Sequence, residues 1–325
     1  MKEWARLGEQ NRLENLAAKE PAAILTVPTR GDLRRWAATV DRNLRMPLFP
    51  VRRYSKDQPP LLPIPVILLG ESAVLWIFAD SGTDPLDPGG LIEPKPLETI
   101  RATILLDAKK TRTACFNIIG IVKGVDDEVS DEVVVVSAHL DHLGMNDQGV
   151  FAGANDNASG CAAILEVMEA IAVNPFRRSV MAVFTTGEEI GHFGSLHFVN
   201  NLPVEHRQLT AAVTLEHLGR IESRSDGLEI VATAEFLDQL KNADPWMKDL
   251  PVLWGDIEHN RSGKVRGSDT QSFRNAEIPV VLLGGGAFPE YHTPQDTSDK
   301  IDLSHLRFSA RITYSVVQAL AGLIR

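Results

Sequence analysis

The sequence predicts an α/β fold in which a mainly parallel central sheet is flanked by helices and preceded by a small N-terminal α/β accessory piece. Apolar runs alternate with helical stretches along most of the chain, which is typical of strands connected through helices. Several runs, such as the four valines at 133–136, are apolar at every position, as expected for strands buried on both faces of a sheet. A segment rich in proline and glycine, residues 80–98, separates the two regions.

The region before this break, residues 1–98, is predicted to be the accessory domain. Helices near 3–19 and 31–43, together with the apolar runs AAILTV (22–27) and IPVILLG (64–70), indicate a small α/β piece. Residues 80–98 contain four prolines and three glycines, which no regular element of that length tolerates. The domain boundary is therefore placed after residue 98.

The second domain, residues 99–325, is predicted to contain five strands and four helices. The strands are expected at 132–139, 179–186, 211–217, 228–233 and 278–284, and the helices at 157–173, 193–201, 235–243 and 304–324. The stretch 255–273 lies between the helix predicted at 235–243 and the strand predicted at 278–284. It is polar and is interpreted as a loop that lines a cleft.

Composition excludes several classes of protein. Lys and Arg total 33 and Asp and Glu total 43, so the formal charge of −10 argues against binding to a nucleic-acid backbone. The apolar runs are shorter than the roughly 20 residues of a membrane span. The first twenty residues lack the pattern of a signal peptide. Cys115 and Cys161 are not part of a CxxC pair, so neither a disulfide framework nor a thiolate metal site is indicated.

Polar side chains, nearly all of types that can bind metals, follow four of the predicted strands, at the end where ligands bind in open α/β sheets. They are His139, Asp141 and His142; Glu188 and Glu189; Glu216 and His217; and Tyr291 and His292. A fifth segment places Asp156 at the start of the helix predicted from 157.

Each of these residues has a structural explanation when it is taken alone. His139 closes a strand, Asp156 is placed to cap a helix, and Glu188 and Glu189 form an acidic corner at a helix start. Their combination favours a metal site, because carboxylates and imidazoles without cysteine suit zinc or a similar divalent ion. Asp141 is expected to accept the imidazole proton of His139 and so to fix its tautomer.

The strings AHLDH, GANDNASG, TTGEEIG, VTLEHLG and EYHTPQDTSDKID occur in this order and resemble metallopeptidase family 28, the two-zinc aminopeptidases and their relatives. The resemblance covers residues 99–325. It implies a first zinc bound by His139, Asp156 and Glu216. It implies a second zinc bound by the same aspartate, Glu189 and His292.

The resemblance also implies two catalytic side chains and an activity. Glu188 would be the general base, and Tyr291 is similar to a tyrosine that stabilises the oxyanion in some members. The implied function is a zinc-dependent exopeptidase, an aminopeptidase that acts on peptides. The family favours a secreted or periplasmic location. The N-terminal region resembles part of a protease-associated domain, with an ordinary α/β appendage as the alternative.

One position departs from the family, because Glu216 stands where the peptidases usually have Asp, and His217 is the alternative ligand. Carboxypeptidase action, with Arg261 or Arg266 binding a substrate carboxylate, remains an alternative function. Glutaminyl cyclisation and a non-catalytic, receptor-like role are the others. The remaining histidines, His192 among them, are interpreted as surface or structural residues.

Overall fold

The structure is a computed structural model, which describes residues 23–27, 66–79, 101–103, 113–146, 148–220, 227–243, 252–257 and 268–322. The helices predicted near 3–19 and 31–43, the segment 80–98, Arg261 and Arg266 lie outside the described residues. The chain divides into two compact units, Met1–Arg112 and Thr113–Arg325. The boundary predicted after residue 98 stays a prediction.

The described part of the first unit is a small α/β arrangement. Strands β1 (Ile24–Thr26) and β2 (Val66–Leu68) pair in parallel, and helix α1 (Glu71–Ile77) follows the second strand. Both strands lie within the two apolar runs that indicated this piece.

The second unit is built around a seven-stranded sheet. Its described strands are β3 (Ile118–Val122), β4 (Val133–His139), β7 (Ser179–Thr185), β8 (Leu209–Glu216), β9 (Leu228–Ala232), β10 (Val252–Asp256) and β11 (Val280–Gly284), with a separate hairpin of β5 (Gly144–Asn146) and β6 (Gly149–Phe151). The helices are α2 (Ser159–Val173), α3 (Phe193–Asn200), α4 (Ala234–Ala243), α5 (Thr270–Asn275) and α6 (Leu303–Gly322).

The strand order is β10-β9-β11-β8-β4-β7-β3. Strand β4 runs parallel to both β7 and β8, β8 runs parallel to β11, and β9 runs parallel to β10. The pairs β11–β9 and β3–β7 are antiparallel. The predicted mainly parallel α/β sheet is therefore confirmed.

The core lies on both faces of this sheet. Helices α2, α4 and α6 cover one face, where Ile164, Leu240 and Val316 are fully buried against the strands. Helices α3 and α5 cover the other face through Phe198 and Phe273, whose rings contact each other at 5.9 Å between centroids. Burial on both faces explains why the central strands are apolar at nearly every position.

All five predicted strands and all four predicted helices of this unit overlap observed elements. Strands β3, β5, β6 and β10 and helix α5 were not predicted, and β10 and α5 occupy part of the stretch interpreted as a loop at 255–273. Among the helices described, none has the length and apolar character that crossing a membrane requires.

Candidate metal centre

Three adjacent strands deliver side chains to one edge of the sheet. Strands β4, β7 and β8 are parallel, so their carboxyl ends meet at the same edge. Strand β4 ends at His139 and β8 ends at Glu216, while β7 leads into the turn that carries Glu188 and Glu189. His139, Glu188 and Glu216 are buried although they are polar, which is unusual for strand-end residues without partners.

Asp156 lies on an irregular turn, Ala154–Ala158, that precedes α2. The helix predicted from residue 157 starts at Ser159, because Asp156 and Asn157 have non-helical backbone angles. The side chain of Asp156 is only 2% exposed and makes no hydrogen bond that caps the helix. This geometry directs the Asp156 carboxylate toward the strand ends. Helix capping, the structural explanation of this residue, therefore does not apply.

The Oδ1 atom of Asp156 faces the predicted first set of ligands. The Nε2 atom of His139 lies 3.1 Å from this oxygen and 3.6 Å from Oε2 of Glu216. The Nε2 atom of His217 also approaches Oδ1, at 3.3 Å. The structure therefore brings together His139, Asp156 and Glu216, with His217 beside them.

The Oδ2 atom of Asp156 faces the predicted second set. The Nε2 atom of His292 lies 3.3 Å from this oxygen and 2.9 Å from Oε2 of Glu189. The other oxygen of Glu189, Oε1, lies 2.6 Å from Nδ1 of His142, which is 3.8 Å from Oδ2 of Asp156. Ligand atoms of His139, Asp156 and Glu189 lie within 4.8 Å of one another, so the two sets adjoin.

The donor atoms of the second set fit a divalent cation. Asp156 Oδ2, Glu189 Oε1 and His292 Nε2 are buried, as is Nδ1 of His142 beside them, and their mutual contacts lack the geometry of hydrogen bonds. Buried polar atoms nearly always form good hydrogen bonds, and these four lie close together without forming them. Carboxylate oxygens and imidazole nitrogens in this number are the ligands that zinc prefers in proteins without cysteine ligands.

The charges around His292 and Glu189 support the same interpretation. Burial lowers the pKa of His292, but the carboxylates of Asp156 and Glu189 outweigh it and raise this pKa to about 9. Burial raises the pKa of Glu189, and the imidazoles of His142 and His292 outweigh it, so the net shift is downward. The surroundings therefore keep the Glu189 carboxylate ionised and favour positive charge beside it.

Glu188 is placed differently from its neighbour Glu189. Its Oε2 lies 4.0 Å from Nε2 of His139, and its Oε1 lies 3.5 Å from Nε2 of His192. Burial, supported by the charge of Glu216, raises the pKa of Glu188 to about 7, although His192 acts in the opposite direction. A carboxyl group with a pKa near neutrality suits proton transfer. His192, which was interpreted from the sequence as a surface or structural residue, contacts this carboxyl group.

The role predicted for the side chain of Asp141 was wrong. The Nδ1 atom of His139 lies 2.9 Å from the backbone carbonyl oxygen of Asp141, so this carbonyl accepts the imidazole proton. The Asp141 carboxylate instead accepts the N–H of Gly187 at 2.9 and 2.8 Å. The chain turns back after β4, which brings the carbonyl to the ring and the carboxylate to the turn before Glu188. With Nδ1 donating to this carbonyl, Nε2 is the nitrogen of His139 that faces the site.

Tyr291 lies at the rim of the site, with 47% of its surface exposed. Its ring stacks on His292 at 3.8 Å between centroids, and His292 adopts a left-handed backbone with φ of 57°. Burial, with added repulsion from Asp156 and Glu189, raises the pKa of Tyr291. The phenol therefore stays protonated at neutral pH and is able to donate a hydrogen bond.

Several residues of the site were not given a role from the sequence. His142 contacts Glu189, and Asn157 donates its Nδ2 hydrogens to the carbonyl of Leu215 at 2.7 Å and to Oε2 of Glu216 at 3.2 Å. His142 and Asn157 stand inside two of the strings that carried the resemblance, which is the signal that marked them. Asp296 stands in another of these strings and accepts the N–H groups of Asn155 and Asp156. Asp269 accepts the hydroxyls of Thr185 and Ser195 and stands in none of the strings.

Comparison with known proteins gives a consistent result. Residues 117–317 match the family model described as peptidase family M28. Aminopeptidase YwaD of Bacillus subtilis (strain 168) is 35% identical over 227 residues, which cover 66% of this chain and 47% of that protein. A probable leucine aminopeptidase of Trichophyton verrucosum (strain HKI 0517) is 27% identical over 205 residues, which cover 59% of this chain and 55% of that protein. The chain thus spans about half the length of these curated relatives.

Solved structures show the same fold. The zinc aminopeptidase BSAP from Bacillus subtilis aligns with a TM-score of 0.50 and 23% identity, over 62% of this chain and 49% of that one. An aminopeptidase from Aneurinibacillus sp. strain AM-1 aligns with a TM-score of 0.51 and 23% identity, over 64% of this chain and 50% of that one.

Proposed function

Because the chain belongs to peptidase family M28, we propose that it is a zinc-dependent exopeptidase, an aminopeptidase that removes the N-terminal residue from peptides. The observation that supports this proposal most strongly is the position of Asp156, whose two oxygens face different groups of ligand atoms. A carboxylate in this position is suited to bridge two ions. We therefore propose two zinc ions per chain.

The proposed ligands are those that the resemblance implied. His139, Asp156 and Glu216 would hold one ion, and Asp156, Glu189 and His292 would hold the other. Two bound zinc ions would lower the pKa of the attacking water and polarise the scissile carbonyl.

Glu188 is the proposed general base. It is adjacent to Glu189 but lies nearest to His139 and His192, so its carboxyl group is not needed as a ligand. Its raised pKa suits a group that takes a proton from the attacking water and then delivers it to the leaving amine. Tyr291 is the proposed donor to the oxyanion, because its protonated phenol stacks beside His292 at the open rim of the site.

The proposal is tested by activity on matched substrates. We expect the zinc-loaded protein to release the first residue from aminoacyl anilides and from unblocked peptides, and to lose this activity with a chelator. Peptides that are acetylated at the N-terminus serve as the control and are expected to stay intact. Release of C-terminal residues, or cyclisation of an N-terminal glutamine peptide without hydrolysis, would contradict the proposal and favour the corresponding alternative.

A further inference from the structure

His217 approaches the metal centre from an unexpected direction. Consecutive residues of an extended strand point to opposite sides, so a side chain next to Glu216 is expected to point away from it. Instead, the Nε2 atom of His217 lies 3.3 Å from Oδ1 of Asp156. Ligand atoms of Asp156, Glu216 and His217 lie within 4.8 Å of one another.

The backbone explains this direction. His217 adopts a left-handed conformation with φ of 55°, which is uncommon for residues other than glycine. Its N–H donates to Oδ1 of Asn157 at 3.4 Å. Its carbonyl oxygen lies so near Gly285 that a Cβ atom there would be only 2.0 Å away, so only glycine leaves room for it. A strained residue that its neighbours hold in place is typical of a functional site.

The ring of His217 is also fixed from the outside. It makes edge contacts with the rings of Phe288 and Tyr291, each at 5.4 Å between centroids. Only 16% of its side chain is exposed. Its Nε2 is therefore held toward Asp156, on the same oxygen that His139 approaches at 3.1 Å.

We propose that His217 is a fourth protein ligand of the ion on the Oδ1 side, in addition to His139, Asp156 and Glu216. This inference rests on the proposed zinc site. Zinc with four protein ligands is closed, whereas zinc with three keeps a position open for water or substrate. The ion on the Oδ1 side would then be held more tightly than the ion at Asp156, Glu189 and His292, which has three protein ligands.

His142 is not placed to be a fourth ligand on the Oδ2 side of Asp156, as His217 is on the Oδ1 side. Its Nδ1 is 2.6 Å from Oε1 of Glu189 but 3.8 Å from Asp156, and His292 approaches the other oxygen of Glu189. His142 thus orients the Glu189 carboxylate, which is the usual task of a residue behind a ligand. This difference makes His142 the matched control for His217.

The test measures zinc binding rather than activity. His217→Asn shortens the side chain beyond reach, while asparagine tolerates the left-handed backbone. We expect wild-type protein to keep one zinc ion per chain under a chelator concentration that removes the other. We expect His217→Asn to lower the affinity for the retained zinc ion by at least about 10-fold. We expect His142→Gln to leave this affinity unchanged.

Cobalt substitution gives a second readout that does not depend on turnover. We expect the visible absorption of the tightly held cobalt to change in His217→Asn and to stay the same in His142→Gln. Circular dichroism establishes that both variants are folded. Retention of wild-type zinc affinity and cobalt absorption by folded His217→Asn would overturn the assignment. A wild-type protein that binds zinc but cleaves no peptide would overturn the proposed function alone.

Discussion

The buried carboxylate of Asp296 binds the backbone of Asp156. Its Oδ2 accepts the N–H of Asp156 at 3.0 Å, and its two oxygens accept the N–H of Asn155 at 2.9 and 3.1 Å. The carbonyl oxygen of Asp296 also accepts the N–H of Ala154 at 3.2 Å. One segment therefore carries the candidate ligand His292 and also fixes the residue that faces both sets of ligands.

This relationship predicts the effect of Asp296→Asn. The amide offers one acceptor oxygen where the carboxylate offers two, and its NH₂ group would face N–H donors. Loss of such support behind a ligand weakens metal binding by about 10- to 100-fold. Zinc titration against a competing chelator measures this change. Asp299→Asn is the matched control, because Asp299 is exposed in the same segment and is expected to leave zinc affinity unchanged. Equal zinc affinities in the two variants would argue that Asp296 does not position Asp156 for metal binding.

Glu188→Gln tests the separation between base and ligand. The amide keeps the size of the side chain but accepts no proton, so we expect turnover to fall by at least about 100-fold. Zinc content should stay near that of the wild type, because Glu189 and not Glu188 faces His292. Kinetics and elemental analysis on the same preparation measure both quantities. Asp156→Asn, in contrast, is expected to lose metal. A Glu188→Gln variant with substantial activity would refute the role of Glu188.

The raised pKa of Glu188 predicts a pH dependence of stability in the zinc-free protein. Burial, supported by Glu216, raises the pKa from 4.5 to about 7 in the folded state, so the folded protein holds a proton that the unfolded chain has released. The contribution of Glu188 to the free energy of unfolding is therefore complete below pH 4.5 and is lost as the pH rises to about 7. The loss is on the order of 3 kcal/mol.

Urea unfolding of zinc-free protein at several pH values measures this effect. Glu188→Gln has no ionisable group at this position, so it serves as the reference protein. We expect the stability of the wild type, relative to the variant, to decrease between pH 4.5 and 7 and to stay constant above that range. A relative stability that rises with pH in this window would contradict the direction of the shift.

The candidate metal ligands could be predicted from the sequence more fully than the residues that position those ligands. His139 and Glu216 were predictable because each follows an apolar run, and parallel strands bring their carboxyl ends together. Asp296 lies in a polar stretch with no periodic pattern, and its partner Asn155 is 141 positions away in the chain. The direction of His217 depends on a left-handed backbone and on Gly285, which neither strand pattern nor composition reveals.

The elements that were missed have a related explanation. Strand β3 lies at the edge of the sheet, its residues are mostly exposed, and it contains Gly120, so it lacks the signature of a buried strand. Strand β10 is also at an edge and ends in polar residues. Short apolar runs of this kind do not distinguish strands from loops.

Asp269 ties the two ends of the turn that carries Glu188 and Glu189. One oxygen of this buried carboxylate accepts the hydroxyl of Thr185, the last residue of β7, and the other accepts the hydroxyl of Ser195 in α3 at 2.5 Å. The hydroxyl of Ser195 also lies 2.8 Å from that of Ser272. The turn is therefore anchored on both sides to a third element, α5.

Asp269→Asn is predicted to loosen this anchor. The amide accepts a hydrogen bond through one oxygen only, so one buried hydroxyl loses its acceptor at a cost of about 1–3 kcal/mol in the free energy of unfolding. Urea unfolding measures the cost. In a double-mutant cycle, Asp269→Ala is combined with Ser195→Ala, because alanine removes the acceptor of the Ser195 hydroxyl. We expect the two changes together to cost less than the sum of the single changes. Strictly additive costs would show that the two side chains act independently. Amide hydrogen exchange should then rise across 186–194 in Asp269→Asn, because the turn has lost one of its two attachments.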